Sequence, residues 1–210
     1  MADNTSNKIY RKDYIKSIFC CPKISLEIKL NLDKTIVTNI MTITPNIAKV
    51  KSNSKLLLNG ENIDLVVLKI NGEKFEQYIL NKTALIIPNY KNLFDASFKI
   101  EIHTSCSPKA NKALKGLYIS NDIFVTQCEA EGFRNITYAL DRPDIMSVYQ
   151  VKLIAKKDTC PVLLSNGNLI KKEDLDSGFH SATWVDPFPK PSYLFALVAG
   201  KLSCNERKYK

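Results

Sequence analysis

The chain has 210 residues, of which 45% are hydrophobic and 24% charged, so it reads as a globular protein and not a disordered or fibrous one. Thirty Lys and Arg stand against 21 Asp and Glu, a net charge of +9, which raises the question of nucleic acid or an anionic membrane. The basic residues are spread along the chain, however, with the densest cluster at Arg207, Lys208 and Lys210, so most of this charge is expected to be solvated surface and neither partner is expected.

From the N-terminus, MADNTSNKIYRKDYIKSIFC is polar and lacks the apolar core of a signal peptide. SLEIKLNLD then alternates with a period of two: Leu26, Ile28, Leu30 and Leu32 share one face, while Glu27, Lys29 and Asn31 take the other. Asp33-Lys34 turns the chain into the β-branched run TIVTNIMTI, predicting a hairpin over one side of a core. Leu56–Leu58 ends at Asn59-Gly60, and LVVLKI ends at Asn71-Gly72. Asn-Gly suits tight hairpin turns because both residues tolerate positive φ. YIL and ALIIP flank a short turn at Asn81-Lys82, and Phe98, Ile100 and Ile102 alternate against Ser97, Lys99 and Glu101. Later, SVYQVKLIA, PVLLSNG, ATWVD and YLFALVAGKL all suit strands. KKEDLDSG is too polar and short for a core helix, and EGFRNITYALD has room for one or two helical turns closed by Arg142-Pro143.

The pattern predicts one all-β domain over residues 1–210. It is a large β-sandwich of antiparallel and mixed sheets with at most one or two short helical turns. No apolar run approaches the ~20 residues that span a membrane. The six cysteines, Cys20, Cys21, Cys106, Cys128, Cys160 and Cys204, include no C-x-x-C. They read as reduced thiols of a cytoplasmic protein, and the N-x-S/T triplets at Asn4, Asn81 and Asn135 as chance matches.

The stretch FVTQCEAEGFRNITYALDRPD gathers Glu129, Glu131, Asp141 and Asp144 around Arg134 and Arg142. If IFVTQCEAE is extended, Gln127, Glu129 and Glu131 share one side, with the small residues Cys128 and Ala130 on the other. Three readings of that row stand open. The acids could neutralise the arginines and fix the chain's path. Glu129 and Glu131, ~7 Å apart along a strand, could be paired carboxylates of a hydrolase. An amide beside a carboxylate could also hold an ammonium group through charge-assisted hydrogen bonds. A peptide's α-amine, with a pKa of about 8, is mostly protonated at neutral pH.

TQCEAEGFRNITYALDRPD closely resembles the N-terminal domain of bacterial-type aminopeptidase N (alanyl aminopeptidase), a zinc metallopeptidase family. YRKDY at Tyr10, LNGENIDLVVLKINGE at Leu58, ALKGLYIS at Ala113, PVLLSNGN at Pro161 and DPFPKPSYLFALVAGKL at Asp186 resemble it in the same order, so the likeness covers almost the whole chain. Val125, Lys115 and Ala139 depart from the residues common there, a cysteine, an acid and an aromatic.

The resemblance implies a β-sandwich packed on a separate catalytic domain. Gln127 and Glu129 match the residues that bind the substrate's free N-terminal amine. Glu131, Arg134, Asp141 and Arg142 are expected to support that pair. The zinc motif H-E-x-x-H and the motif GAMEN belong to the catalytic domain, and neither occurs here, where the histidines are His103 and His180.

The chain is therefore expected to be a piece of a larger enzyme. It should carry no catalytic or metal-binding residue of its own, need zinc only through its catalytic partner domain, and be inactive alone. The alternative is a freestanding β-sandwich binding or scaffold module. Trp184, Phe188, Pro189 and Pro191 are candidates either for an exposed interface or for packing within the domain.

Overall fold

The computed structural model describes residues 10–208. The Asn4 triplet, the first nine residues of the polar leader and Lys210 of the basic cluster lie outside that range. In chain order the strands are β1 (Phe19–Lys29), β2 (Thr35–Pro45), β3 (Lys55–Asn59), β4 (Asp64–Ile70), β5 (Glu73–Lys74), β6 (Ile79–Leu80), β7 (Ala84–Pro88) and β8 (Phe98–Cys106). They continue with β9 (Gly116–Ser120), β10 (Ile123–Gln127), β11 (Ser147–Lys156), β12 (Val162–Ser165), β13 (Asn168–Asp174), β14 (Phe179–Lys190) and β15 (Leu197–Gly200). Helical structure among the described residues is confined to short 3₁₀ turns.

An eight-stranded sheet runs β13-β14-β11-β1-β2-β8-β4-β5. A four-stranded sheet runs β12-β15-β10-β9, and a three-stranded sheet β3-β7-β6. The β1–β2 hairpin pairs Lys29 with Ile36 and Phe19 with Pro45, and it buries Leu26, Ile28 and Leu30 as the alternation requires. Leu32 lies beyond the strand and is exposed. β1 pairs in parallel with β11, which joins the two halves of the chain into one sheet and makes that sheet mixed. Side chains from all three sheets meet in one buried cluster, including Ile28, Leu58, Leu85, Ile102, Phe124 and Leu197, so the fold is all-β and sandwich-like.

One local expectation changes, at Asn59-Gly60. Asn71-Gly72 makes the tight β4–β5 turn, with φ of 51° and 90°. Asn59-Gly60 makes no turn. Asn59 continues β3 and bridges to Ala139, and a Cβ on Gly60 would lie 2.2 Å from the Tyr138 ring, so the glycine is there to admit an aromatic ring. KKEDLDSG supplies the end of β13, because pairing with β14 outweighs its polarity at a sheet edge. Of the aromatic and proline candidates, Pro191 is buried and Trp184 is half-buried with its indole N–H donating to the Leu163 carbonyl at 3.1 Å. Phe188 and Pro189 are exposed.

Residues 128–146 form no strand, yet most of residues 132–141 are buried. Their backbone groups lack a sheet ladder and must find other partners. Asn39 on β2 donates through Nδ2 to the Tyr138 carbonyl at 3.1 Å, and Thr104 on β8 donates to the Ile136 carbonyl at 3.1 Å. Asn59 and Ala139 exchange backbone bonds of 2.8 and 3.1 Å. Phe133 packs edge-on against Tyr149 and Phe195. The irregular segment is thereby fixed to the sheets on both sides.

Gly60→Ala is expected to destabilise the chain by about 2 kcal/mol, through overpacking against Tyr138. A lower urea midpoint with an unchanged slope would record it.

Candidate functional site

β10 ends at Gln127, and the chain turns through residues 129–132. The extended row expected from IFVTQCEAE is therefore not formed. Gln127, Glu129 and Glu131 are all exposed, but they sit on a corner and not along one strand face. The Gly132 N–H donates to the Cys128 carbonyl at 2.9 Å. A Cβ on Gly132 would lie 2.1 Å from the Gln127 carbonyl oxygen, so this return of the chain onto its own strand admits no side chain. Glu131 takes a φ of 65°, and the Glu129–Ala130 peptide is cis. Only Cys128 of the two small residues faces inward; Ala130 is exposed because the turn has already reversed the chain. Burial pushes the Cys128 thiol up to about 12, with Asp141 adding to the effect, so it stays protonated and inert at neutral pH.

At the corner, the Gln127 side-chain Nε2 donates to the Glu129 carbonyl at 2.8 Å. That bond orients the amide and leaves its Oε1 as an acceptor. The Glu129 carboxylate makes no ion pair among the described residues. The corner borders a hollow of about 270 Å³ lined by Glu129, Ala130, Glu131, Pro143, Ser192 and Tyr193, with Asp141 and Arg142.

Behind the corner lies a buried charge network. Arg134 Nε meets Asp141 Oδ2 at 2.8 Å, and Nη2 donates to the Asp141 carbonyl at 3.0 Å. The Arg134 guanidinium also reaches Glu131 at 3.4 Å and Glu61 at 3.7 Å. The Ser192 hydroxyl donates to Asp141 Oδ1 at 2.5 Å. Glu131, Arg134 and Asp141 are thus brought together.

Arg142 is turned elsewhere. Its Nε and Nη2 clasp both oxygens of Asp144 at 2.8 Å, and Nη2 also donates to the Ile15 carbonyl at 2.8 Å. The Tyr14 hydroxyl donates to Asp144 at 2.8 Å, so this pair ties the N-terminal segment down. Sequence reasoning passed over Ser192, Glu61 and Tyr14, which lie 51, 73 and 130 residues from the partners they meet.

No group of three or more His, Cys, Asp or Glu is placed to hold a metal among the described residues. His103 Nε2 lies 2.7 Å from Glu101, whereas His180 Nε2 lies 2.7 Å from the Cys160 carbonyl. All six cysteines are unpaired.

Residues 9–194 match the profile of the Peptidase M1 N-terminal domain. The chain is 45% identical over 191 residues to aminopeptidase N of Escherichia coli K12, covering 91% of this chain and 21% of that protein. It is 43% identical over 200 residues to aminopeptidase N of Haemophilus influenzae, covering 95% and 23%. Among solved structures, aminopeptidase A of Legionella pneumophila in complex with aspartic acid superposes with a TM-score of 0.83 at 39% identity, over 91% of this chain and 22% of that one. The M1 zinc metallopeptidase of Deinococcus radiodurans shares the fold, with a TM-score of 0.75 at 12% identity, over 88% of this chain and 43% of that one. The chain thus spans less than a quarter of the length of these two curated relatives.

The Arg142 guanidinium, by hydrogen bonding, holds the Asp144 carboxyl down from its ordinary 3.8 to about 2. A depressed carboxylate stabilises the fold above its unfolded value and loses that contribution as pH falls through the folded one. Asp144→Asn is expected to cost about 1 kcal/mol at neutral pH, a figure reduced for solvent screening near the surface. Urea titrations of both proteins should show that difference closing between about pH 4 and pH 2, as Asp144 itself takes up its proton.

Proposed function

The chain belongs to the Peptidase M1 N-terminal domain family, and from that premise we propose that its Gln127–Glu129 corner captures the free N-terminal amine of a peptide, as one part of a longer aminopeptidase. The observation that carries this reading is the state of the two side chains. The Gln127 amide is oriented by its own bond to the Glu129 carbonyl, and the Glu129 carboxylate is exposed and unpaired among the described residues. A protonated amine has three donors and no acceptor. It needs the set left here, a fixed carbonyl oxygen and a negative oxygen on the same corner.

The other acids of the segment are poor candidates for the same task. Asp141 is buried against Arg134, and Glu131 leans on the same guanidinium. The salt-bridge reading of the acidic row therefore suits Glu131 and Asp141, and the cation reading suits Glu129. The zinc that the family implies finds no ligand set among the described residues of this chain. What the chain contributes is binding and orientation. An amine held at a fixed point limits cleavage to the first residue of a peptide, because only a chain end can offer that group. The reaction centre and the remaining contacts to the amine belong, in this proposal, to the rest of the longer protein.

In the full-length aminopeptidase, Glu129→Ala is expected to lower kcat/KM for unblocked peptides by about 10²–10³-fold, the usual cost of stranding one member of a desolvated ion pair. Wild-type steady-state kinetics in that variant would overturn the assignment. The 210-residue chain alone is expected to leave an alanyl chromogenic substrate intact in the presence of zinc. Measurable turnover would place the reacting groups within it.

A further inference from the structure

We propose that Ser192 is a positioning residue for the amine-binding corner, acting through Asp141 and Arg134. This deepens the amine-capture reading of Gln127 and Glu129 and depends on it.

The corner itself has little to hold it. Glu129, Ala130 and Glu131 are exposed, and the bonds closing the turn are those from the Gly132 N–H to the Cys128 carbonyl and from the Gln127 amide to the Glu129 carbonyl. Its outer limb is Glu131, whose carboxylate lies 3.4 Å from Arg134 Nη2. Arg134 is in turn oriented by Asp141, which takes the guanidinium Nε and the Arg134 backbone N–H on one oxygen, Oδ2, at 2.8 and 3.2 Å. The other oxygen, Oδ1, accepts from Ser192. The Asp141 side chain is only 3% exposed, so water cannot readily stand in for a lost donor.

Ser192 is the point where this relay meets the scaffold. It is itself buried and opens the Ser192–Leu194 turn that leads into β15. β15 pairs with β10 through Phe124–Ala199 and Val125–Val198, and β10 is the strand that ends at Gln127. The contacts close a ring: from β10 through the corner to Glu131, Arg134, Asp141 and Ser192, then along β15 back to β10. Glu129 sits inside that ring and borders the same hollow as Ser192 and Tyr193. Removal of the Ser192 hydroxyl leaves Asp141 Oδ1 without its donor. The carboxylate and the arginine fork it orients then lose their fixed geometry, and the corner loses its outer support.

The test is a double-mutant cycle in the full-length aminopeptidase, read by kcat and KM on an unblocked dipeptide. Ser192→Ala is expected to lower kcat/KM about tenfold, the worth of one hydrogen bond to a charged group, and Ser192→Thr to restore it. In a Glu129→Ala background the Ser192→Ala loss should shrink to within about twofold, because a support has no effect once the group it positions is gone. Losses that multiply in the double variant would show that Ser192 acts only on general stability and would overturn the inference. Wild-type kinetics for Ser192→Ala beside an impaired Glu129→Ala would overturn it while leaving the amine reading intact. Wild-type kinetics for Glu129→Ala would remove both. If Ser192→Ala fails to fold, Arg134→Lys interrupts the same relay by removing the planar fork, and the same loss and the same shrinkage in the Glu129→Ala background are expected.

Discussion

A carboxylate taken out of water must be met by donors on both oxygens, and Asp141 is the place where this chain satisfies that demand. Arg134 supplies a side-chain and a backbone N–H to one oxygen, and Ser192 supplies a hydroxyl to the other. These three residues come from the irregular segment after β10 and from the entry to β15, so one buried acid stitches a loop to the strand that neighbours the loop's own origin. Both arginines of the segment are paired with other acids, Arg134 with Asp141 and Arg142 with Asp144, and the exposed Glu129 makes no ion pair among the described residues.

The same logic explains polar residues inside β2 and β8. Asn39 and Thr104 lie fully buried on strands whose inward positions are mostly apolar. Each meets a carbonyl of the segment that runs over the sheet without joining it. An apolar residue at either place would bury an unmatched carbonyl, a cost comparable to a lost hydrogen bond. Gly60 answers a steric demand from the same segment, the seat of the Tyr138 ring. The large sheet thus does more than enclose a core: its inner face presents donors to the irregular segment that follows the Gln127–Glu129 corner.

Two arginines that look equivalent in the sequence divide their work. Arg134 turns inward to Asp141 and the corner, and Arg142 clasps Asp144 near the surface, where Tyr14 and the Ile15 carbonyl join it. The division follows from the chain's path. A buried 3₁₀ turn carries Arg134 beneath the corner, and the bend at Arg142-Pro143 brings the second pair against the N-terminal segment.

Much of this protein is legible along the chain itself. Alternation of the kind seen in Leu26, Ile28 and Leu30 encodes strands directly, because a pleated strand sends neighbouring side chains to opposite faces. The Asn71-Gly72 turn is equally local, and the block from Gln127 to Asp144 is distinctive enough to carry the family resemblance. Only the folded molecule decides the parallel union of β1 with β11, the close seat of Gly60 under Tyr138 and the end of the strand at Gln127. The same holds for the donor from Ser192 to Asp141. Each of these depends on which distant segments become neighbours. Periodicity along a chain specifies which way a side chain faces, but a contact between residues 51 or 130 positions apart is set by the packing of whole sheets.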